Sequence, residues 1–76
     1  RITLEIKAVE PTWLKIITDD QTPKEYNLDA GDSLDLEAKT RFSLLIGNAA
    51  GVQLTLNGKP VPVPGKSGQV VTLQLP

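Results

Sequence analysis

The chain has 76 residues, eight basic and nine acidic side chains, a formal net charge of -1, and neither cysteine nor histidine. This length allows one small domain, residues 1–76, and folding buries only about 60–65% of the surface that an unfolded chain of this size exposes. The missing residue types exclude disulfides, cysteine-liganded zinc and every catalytic pair that needs a histidine or a cysteine.

The first two predicted elements are strands, because apolar and polar residues alternate with a period of two. In residues 2–8, sequence ITLEIKA, apolar residues occupy every second position. Pro11 ends this pattern, since proline offers no donor to a strand ladder. The second strand lies in TWLKIITD, residues 12–19, and is apolar on both faces, which requires cover on both faces or a β-bulge.

Turn-forming residues separate the next predicted strands. DDQTP, residues 19–23, is expected to turn through its aspartates and proline. Residues 24–28 and 33–38 are short strands around a second turn, in which Gly31 can take a positive φ. The strands predicted in RFSLLIG, which begins at residue 41, and VQLTLN, which begins at residue 52, are joined by Gly-Asn-Ala-Ala-Gly, residues 47–51. We predict that this segment is a hairpin loop whose glycines supply unusual dihedrals.

The C-terminal third begins with a tight turn. Asn57-Gly58 is the strongest short-range hairpin signal in the chain, because both central positions of a type I′ turn need a positive φ. The prolines at 60, 62 and 64 cannot donate ladder hydrogen bonds, so residues 59–64 are predicted to form an edge strand or extended rim. An alternating segment, residues 69–75, closes the chain, and no segment carries a helical stripe.

Short strands at intervals of roughly 8 to 12 residues, joined by Gly, Pro, Asn and Asp turns, are typical of an antiparallel sandwich or barrel. We predict an all-β fold, a small antiparallel β-sandwich of about seven short strands. Trp13 and Tyr26 are expected to border the core, and for Trp13 core packing is favoured over exposure. The predicted core is Ile2, Leu4, Ile6, Leu14, Ile16, Leu28, Leu34, Leu36, Phe42, Leu44, Ile46, Val52, Leu54, Leu56, Val71 and Leu73.

Charges are segregated along the chain, with all nine acidic residues at or before Glu37 and four basic residues after it. Because strands from both halves interleave in a β-fold, we interpret these charges as solvated strand faces. Four scattered cations fall short of a nucleic-acid-binding surface, so no nucleic acid is expected as a partner of this domain.

No set of residues shows a catalytic or metal-binding pattern. The acidic series from Asp29 to Glu37 lacks the spacing of a calcium loop, and the serines have no histidine to activate them. Residues 47–51 lack both the following Lys-Ser or Lys-Thr and the helix of a phosphate loop. We therefore predict that the protein is not an enzyme and has no catalytic, metal-binding or cofactor-binding residue.

Four segments together resemble one known family: TWLKI at 12–16, LDAGD at 28–32, FSLLIGNAAGVQLTLNGKPV at 42–61 and GQVVTLQL at 68–75. They are similar to the C-terminal extracytoplasmic domain of RodZ-type bacterial cell-shape proteins, most specifically in the run from Phe42 to Val52 with Asn57-Gly58 following. Two turns depart from the family pattern. DDQTP replaces a common Asp-Gly turn, and Arg41 stands where proline is frequent.

The resemblance implies a parent protein with a cytoplasmic helix-turn-helix domain that engages the actin-like MreB, one membrane-spanning helix, a linker and this β-domain on the periplasmic face of the cytoplasmic membrane. The chain is therefore expected to be one domain of a longer, membrane-anchored protein. The implied role is a noncatalytic interaction module that links the MreB cytoskeleton to cell-wall synthesis and rod shape. Envelope wall-synthesis or division proteins are the expected partners, and MreB is reached only through the cytoplasmic part.

Two alternatives remain open: a domain that binds a glycan or wall fragment on a sheet face near Trp13 and Tyr26, and a passive structural cap. The aromatic pair is a candidate site because these are the only aromatic residues with polar atoms, and such residues are frequent binding hot spots. The candidate partner contacts are Asn48, Lys59, Trp13 and Tyr26.

Overall fold

The structure is a computed structural model that describes residues 1–76. It contains eight strands in two antiparallel four-stranded sheets whose inner faces share one core, which confirms the predicted β-sandwich. The strands are β1 (Ile2–Ala8), β2 (Thr12–Thr18), β3 (Lys24–Leu28), β4 (Ser33–Ala38), β5 (Phe42–Ile46), β6 (Val52–Leu56), β7 (Lys59–Val61) and β8 (Val71–Leu75), with one 3-10 turn, Ala49–Gly51, before β6.

The first sheet has the order β4-β1-β6-β7 and the second has the order β3-β2-β5-β8. Only β2-β3 and β6-β7 pair strands that follow each other directly, so every other connection crosses between the sheets. Residues 47–51 make one of these crossings, and the predicted hairpin loop is therefore wrong. Alternation marks where strands lie, but it does not say which strands pair. No helix here has the length and apolar character that crossing a bilayer requires.

The core is formed by the inward side chains of both sheets, with Phe42 of β5 and Ile6 of β1 fully buried. Sequence alternation identified most of it, but Ala38 and Leu75 also belong to the core and were not predicted. Seven of the predicted core residues pack on the core while remaining half-buried, because they lie on edge strands or near strand ends: Ile2, Leu28, Leu34, Leu36, Leu56, Val71 and Leu73.

The predicted turn at Asn57-Gly58 is confirmed, since both residues have positive φ (51° and 81°) and Leu56 pairs with Lys59. The Asn57 side chain adds a long-range link: its Oδ1 accepts the Thr3 N–H at 2.9 Å, and the Asn57 N–H donates to the Thr3 carbonyl at 2.8 Å. The hairpin is thus attached to the start of β1. Its second strand, β7, is the edge strand that Pro60 predicted.

Candidate functional site

The four candidate contact residues do not converge on one site. Trp13 lies on the outer face of the second sheet, whereas Tyr26, paired with buried Leu14, lies on the inner face. Asn48 precedes β6 and Lys59 follows it, so these two lie at opposite ends of the sandwich. The sheet separates the two aromatic rings, and a glycan site shared by Trp13 and Tyr26 is excluded by this geometry.

Trp13 is exposed, with 41% of its surface accessible, so the prediction that it packs in the core is wrong. In β2 the buried positions are Thr12, Leu14 and Ile16, which places Trp13 on the other face. The sequence of β2 is apolar on both faces, and periodicity alone therefore cannot decide which face is inside.

The Trp13 indole packs against Gly47, the residue that directly follows β5. The Gly47 N–H donates to the Trp13 carbonyl at 2.8 Å. A Cβ built on Gly47 would lie 2.1, 2.2 and 2.4 Å from Nε1, Cε2 and Cδ1 of the indole. Because these three adjacent ring atoms are almost equally distant, the five-membered ring faces Gly47 rather than meeting it edge-on. Because Gly47 carries a hydrogen in place of a Cβ, the indole ring can approach its backbone this closely.

Neither glycine of the 47–51 segment has a positive φ, so the predicted unusual dihedrals are wrong at both. Gly51 is buried, and a Cβ there would lie 2.7 Å from Nδ2 of Asn48. Close packing of a neighbouring side chain explains both glycines. Although its ring packs against Gly47, Trp13 as a whole stays exposed.

The outer face of the second sheet, called the Trp13 face below, surrounds this indole with polar, charged and half-buried apolar side chains. Lys15 lies between Glu25 on β3 and Leu45 on β5, and Leu45 is in turn opposite Thr72 on β8. Besides Trp13, the face consists of Lys15, Ile17, Glu25, Asn27, Ser43, Leu45, Thr72 and Gln74.

The outer face of the first sheet is polar and acidic instead. Glu5 lies directly opposite Asp35, and Thr3 lies opposite Glu37. Glu37 has an exposed ion pair with Arg1 at 3.5 Å, a geometry that adds little stability at a protein surface. No group of three His, Cys, Asp or Glu side chains is placed to hold a metal ion.

Asn48 joins three segments at one end of the sandwich. Its Nδ2 donates to Glu10 Oε1 at 3.1 Å and to the Pro11 carbonyl at 3.0 Å, while its Oδ1 accepts the Gly68 N–H at 2.8 Å. Ser67 Oγ also donates to Glu10 Oε1, at 3.1 Å. The amide thus has partners within the chain for both its nitrogen and its oxygen, and contact with another protein at Asn48 stays a prediction.

Asp19 holds the opposite end, a role that the sequence reading did not anticipate. Its carboxylate accepts the backbone N–H groups of Lys39 at 2.8 Å, Thr40 at 2.7 Å and Arg41 at 3.1 Å, and also the Thr40 hydroxyl at 2.8 Å. The hydrogen bonds from the Lys39 and Thr40 N–H groups are the main cause that holds the pKa of Asp19 well below its usual range. The only sequence signal was an aspartate in a predicted turn.

The comparison with known families bears on the whole of this fold. A family model described as the RodZ C-terminal domain matches residues 5–74, a range that reaches from β1 to β8. No curated protein and no solved structure matches the chain. The matched range contains Trp13, Gly47, Asn48 and the Asn57-Gly58 turn, and it leaves out only six residues at the two ends. The chain belongs to the RodZ C-terminal domain family.

Proposed function

We propose that this domain is a noncatalytic interaction module of a RodZ-like protein, placed on the periplasmic side of the cytoplasmic membrane. There it contacts an envelope protein of cell-wall synthesis or division. The parent's cytoplasmic part engages MreB, so that the whole protein links the cytoskeleton to wall growth and rod shape. Family membership supports the setting, and one observation carries the contact role: the exposed indole of Trp13.

Trp13 has the physical properties of a binding hot spot. Tryptophan contributes a large contact area and is enriched among the residues that dominate interface energies. Here the ring is already fixed against Gly47 in the unbound domain. Binding of a partner to the exposed indole therefore costs less side-chain entropy than binding that has to order a mobile ring. Half-buried Ile17 and Leu45 extend the apolar area on the same face.

The noncatalytic character is supported by the titratable groups and their surroundings. Enzyme sites usually combine a cleft with residues whose pKa values are shifted for proton transfer. The one strongly shifted pKa belongs to Asp19, whose carboxylate is occupied by backbone N–H groups of a surface turn. The acidic outer face presents exposed carboxylates on neighbouring strands and no nucleophile activated by a base.

Site-specific photocrosslinking in cells of the source bacterium tests the proposal. A crosslinking amino acid at Ser43 or Thr72 lies on the Trp13 face without replacing the indole, and the same amino acid at Lys7 or Gln53 on the acidic face is the matched control. We expect envelope wall-synthesis or division proteins to be captured from the first pair and not from the second. Capture of no envelope protein from the Trp13 face would refute the contact role.

A glycan or wall fragment is a second candidate ligand, because sugars stack on exposed indole rings and Trp13 is exposed. The site is then centred on Trp13 alone. Titration with muropeptides, followed by backbone amide shifts, should perturb residues around Trp13 if this alternative holds. A domain that is only a passive cap predicts neither crosslinks nor shifts, and its deletion leaves cell shape unchanged.

A further inference from the structure

The four edge strands of the sandwich differ in how they are protected against pairing with another chain. Natural sheets protect their edges with charged side chains, prolines or very short strands. β7 is three residues long and contains Pro60, β4 carries Asp35 and Glu37, and β3 carries Lys24 and Glu25. β8 has five residues with neither charge nor proline, and the whole segment 69–76 is uncharged. β8 is therefore the one unprotected edge.

The free backbone groups of β8 can be identified from the ladder. In an antiparallel pair, every second residue of a strand forms backbone hydrogen bonds to the same neighbour. The Gly47 N–H donates to the Trp13 carbonyl, so Leu45 and Ser43, two and four residues before Gly47, also bond to β2. The residues between them, including Leu44, therefore bond to β8, where Leu44 pairs with Leu73. The N–H and C=O groups of Thr72 and Gln74 consequently point away from β5. None of the backbone hydrogen bonds outside the ladders involves residues 70–76.

We propose that β8 is a self-association site, at which β8 of a second copy of this domain pairs antiparallel with it about a two-fold axis at Leu73. Thr72 and Gln74 of one copy then exchange backbone hydrogen bonds with Gln74 and Thr72 of the other. The second sheet of one copy and the second sheet of the other, each with the order β3-β2-β5-β8, then form one continuous sheet. Both copies use the same surface, as a closed two-fold dimer requires.

The side chains of β8 are complementary to themselves in this register. On the outer face Thr72 meets Gln74, two polar uncharged side chains. On the inner face Leu73 meets Leu73 and Val71 meets Leu75, which covers the half-buried Val71 and Leu73. The same operation on β4 about Leu36 places Asp35 opposite Glu37 of the second copy, and like charges in that position are destabilising. A second copy therefore fits the β8 edge, where no like charges meet, and does not fit the β4 edge, where they do.

The pairing is tested with the 76-residue chain by sedimentation equilibrium and by amide shifts over a concentration series up to roughly millimolar, where weak dimers form. We expect a monomer–dimer equilibrium, with concentration-dependent shifts concentrated in residues 70–76. A chain that stays monomeric, or shifts confined to another edge or to the acidic face, would overturn the proposal.

Paired charge variants sharpen the test. Thr72→Lys with Gln74→Lys places lysine opposite lysine across the axis, and Thr72→Glu with Gln74→Glu does the same with carboxylates. Each double variant alone should dimerise about tenfold more weakly or worse. An equimolar mixture of the two should recover dimer, because every cross-strand pair is then opposite in charge. If mixing recovers nothing although both variants keep the native amide spectrum, the pairing is wrong.

The control adds the same charge elsewhere. Asn27→Lys with Thr55→Lys introduces two lysines at exposed or half-buried outer positions of β3 and β6. This variant should dimerise as the unmodified chain does, whereas equal weakening would show that net charge rather than the β8 edge controls association.

Discussion

The two ends of the sandwich are each held by one polar side chain, but the two side chains work differently. Asn48 both donates and accepts, and it joins the segments around Glu10, residues 47–51 and Gly68. Asp19 only accepts, and it gathers consecutive N–H groups of the β4–β5 connection. The first link is centred on a neutral side-chain amide, while the second is centred on an ionised carboxylate. One fold thus secures its loops by two kinds of chemistry.

The Asn48 end also holds the Trp13 ring, since Gly47 precedes Asn48 directly. At this end, Gly47 and Gly51 are required because neighbouring side chains pack where a Cβ would lie. At the Asp19 end, positive φ is carried by Asp19 and Asp20 themselves (53° and 59°), in a turn closed by the Gln21 N–H on the Thr18 carbonyl at 3.0 Å. We therefore expect substitutions at the first end to act through packing and through the hydrogen bonds of the Asn48 amide, and substitutions at the second end to act through charge and backbone strain.

Gly47→Ala should have the largest effect, a destabilisation of about 2–3 kcal/mol, because the added methyl overlaps the indole and has to displace it. Chemical denaturation measures the loss, and tryptophan fluorescence reports the displaced ring. The matched control is the same substitution in a Trp13→Ala background. There it should cost little, and an unchanged cost would show that the indole is not the reason for glycine.

Asn48→Ala should destabilise the domain by about 1–2 kcal/mol, because it leaves the Gly68 N–H and one oxygen of Glu10 without this partner. Thermal or denaturant unfolding measures the difference. Lys59→Ala, at the exposed hairpin of the other end, is the control and should change stability by less than about 0.5 kcal/mol. Equal effects of the two substitutions would contradict a structural role for Asn48.

Asp19→Asn should remove a pH-dependent contribution to stability. The folded-state pKa lies below the unfolded value, so ionised Asp19 stabilises the domain fully above the unfolded pKa of about 4 and progressively less as the pH falls below it. The difference in unfolding free energy between the two chains should be constant near neutrality and shrink under acid. Denaturant unfolding from neutral to acidic pH measures it.

Thr40→Val is the graded control for this effect, since it removes the hydroxyl donor and keeps the three backbone N–H donors. It should reduce the acid-dependent contribution without abolishing it. A pH profile of Asp19→Asn that runs parallel to that of the unmodified chain at every pH would contradict the role assigned to the carboxylate.

Asp20→Gly should have the smallest effect and the opposite sign, a stabilisation of about 0.5–1 kcal/mol. Glycine takes the observed φ of 59° without the strain that a side chain brings there. The exposed ion pair with Arg41, 3.6 Å long, is lost but contributes little. Differential scanning calorimetry should show a raised Tm. A lowered Tm would mean that the Asp20 carboxylate stabilises this turn more than its backbone strains it.

The sequence predicted those parts of the fold that depend on neighbouring residues. Period-two alternation located the strands, and the Asn57-Gly58 turn followed from the φ values that a type I′ turn demands. The connection at residues 47–51 was predicted wrongly because pairing between strands is a long-range property. Trp13 was misplaced because β2 is apolar on both faces.

The links at the two ends were not visible in the sequence for a related reason. Asn48 and Asp19 act on partners far away in the chain, Gly68 and Thr40 among them. Nothing in the spacing of these residues distinguishes such a link from an ordinary polar loop residue. The resemblance marked Gly47 and Asn48 as specific positions, but only the indole on Gly47 and the hydrogen bonds of Asn48 give the physical reason.

The strand order also determines how this chain folds in time. The central pairs of the two sheets join β1 to β6 and β2 to β5, strands that lie far apart in sequence. Closing such long loops costs chain entropy before any pairing rewards it, and all-β domains of this kind fold in roughly milliseconds to seconds. The hairpins β2-β3 and β6-β7 need no such closure, so we expect them to form early and the central pairs to limit the rate.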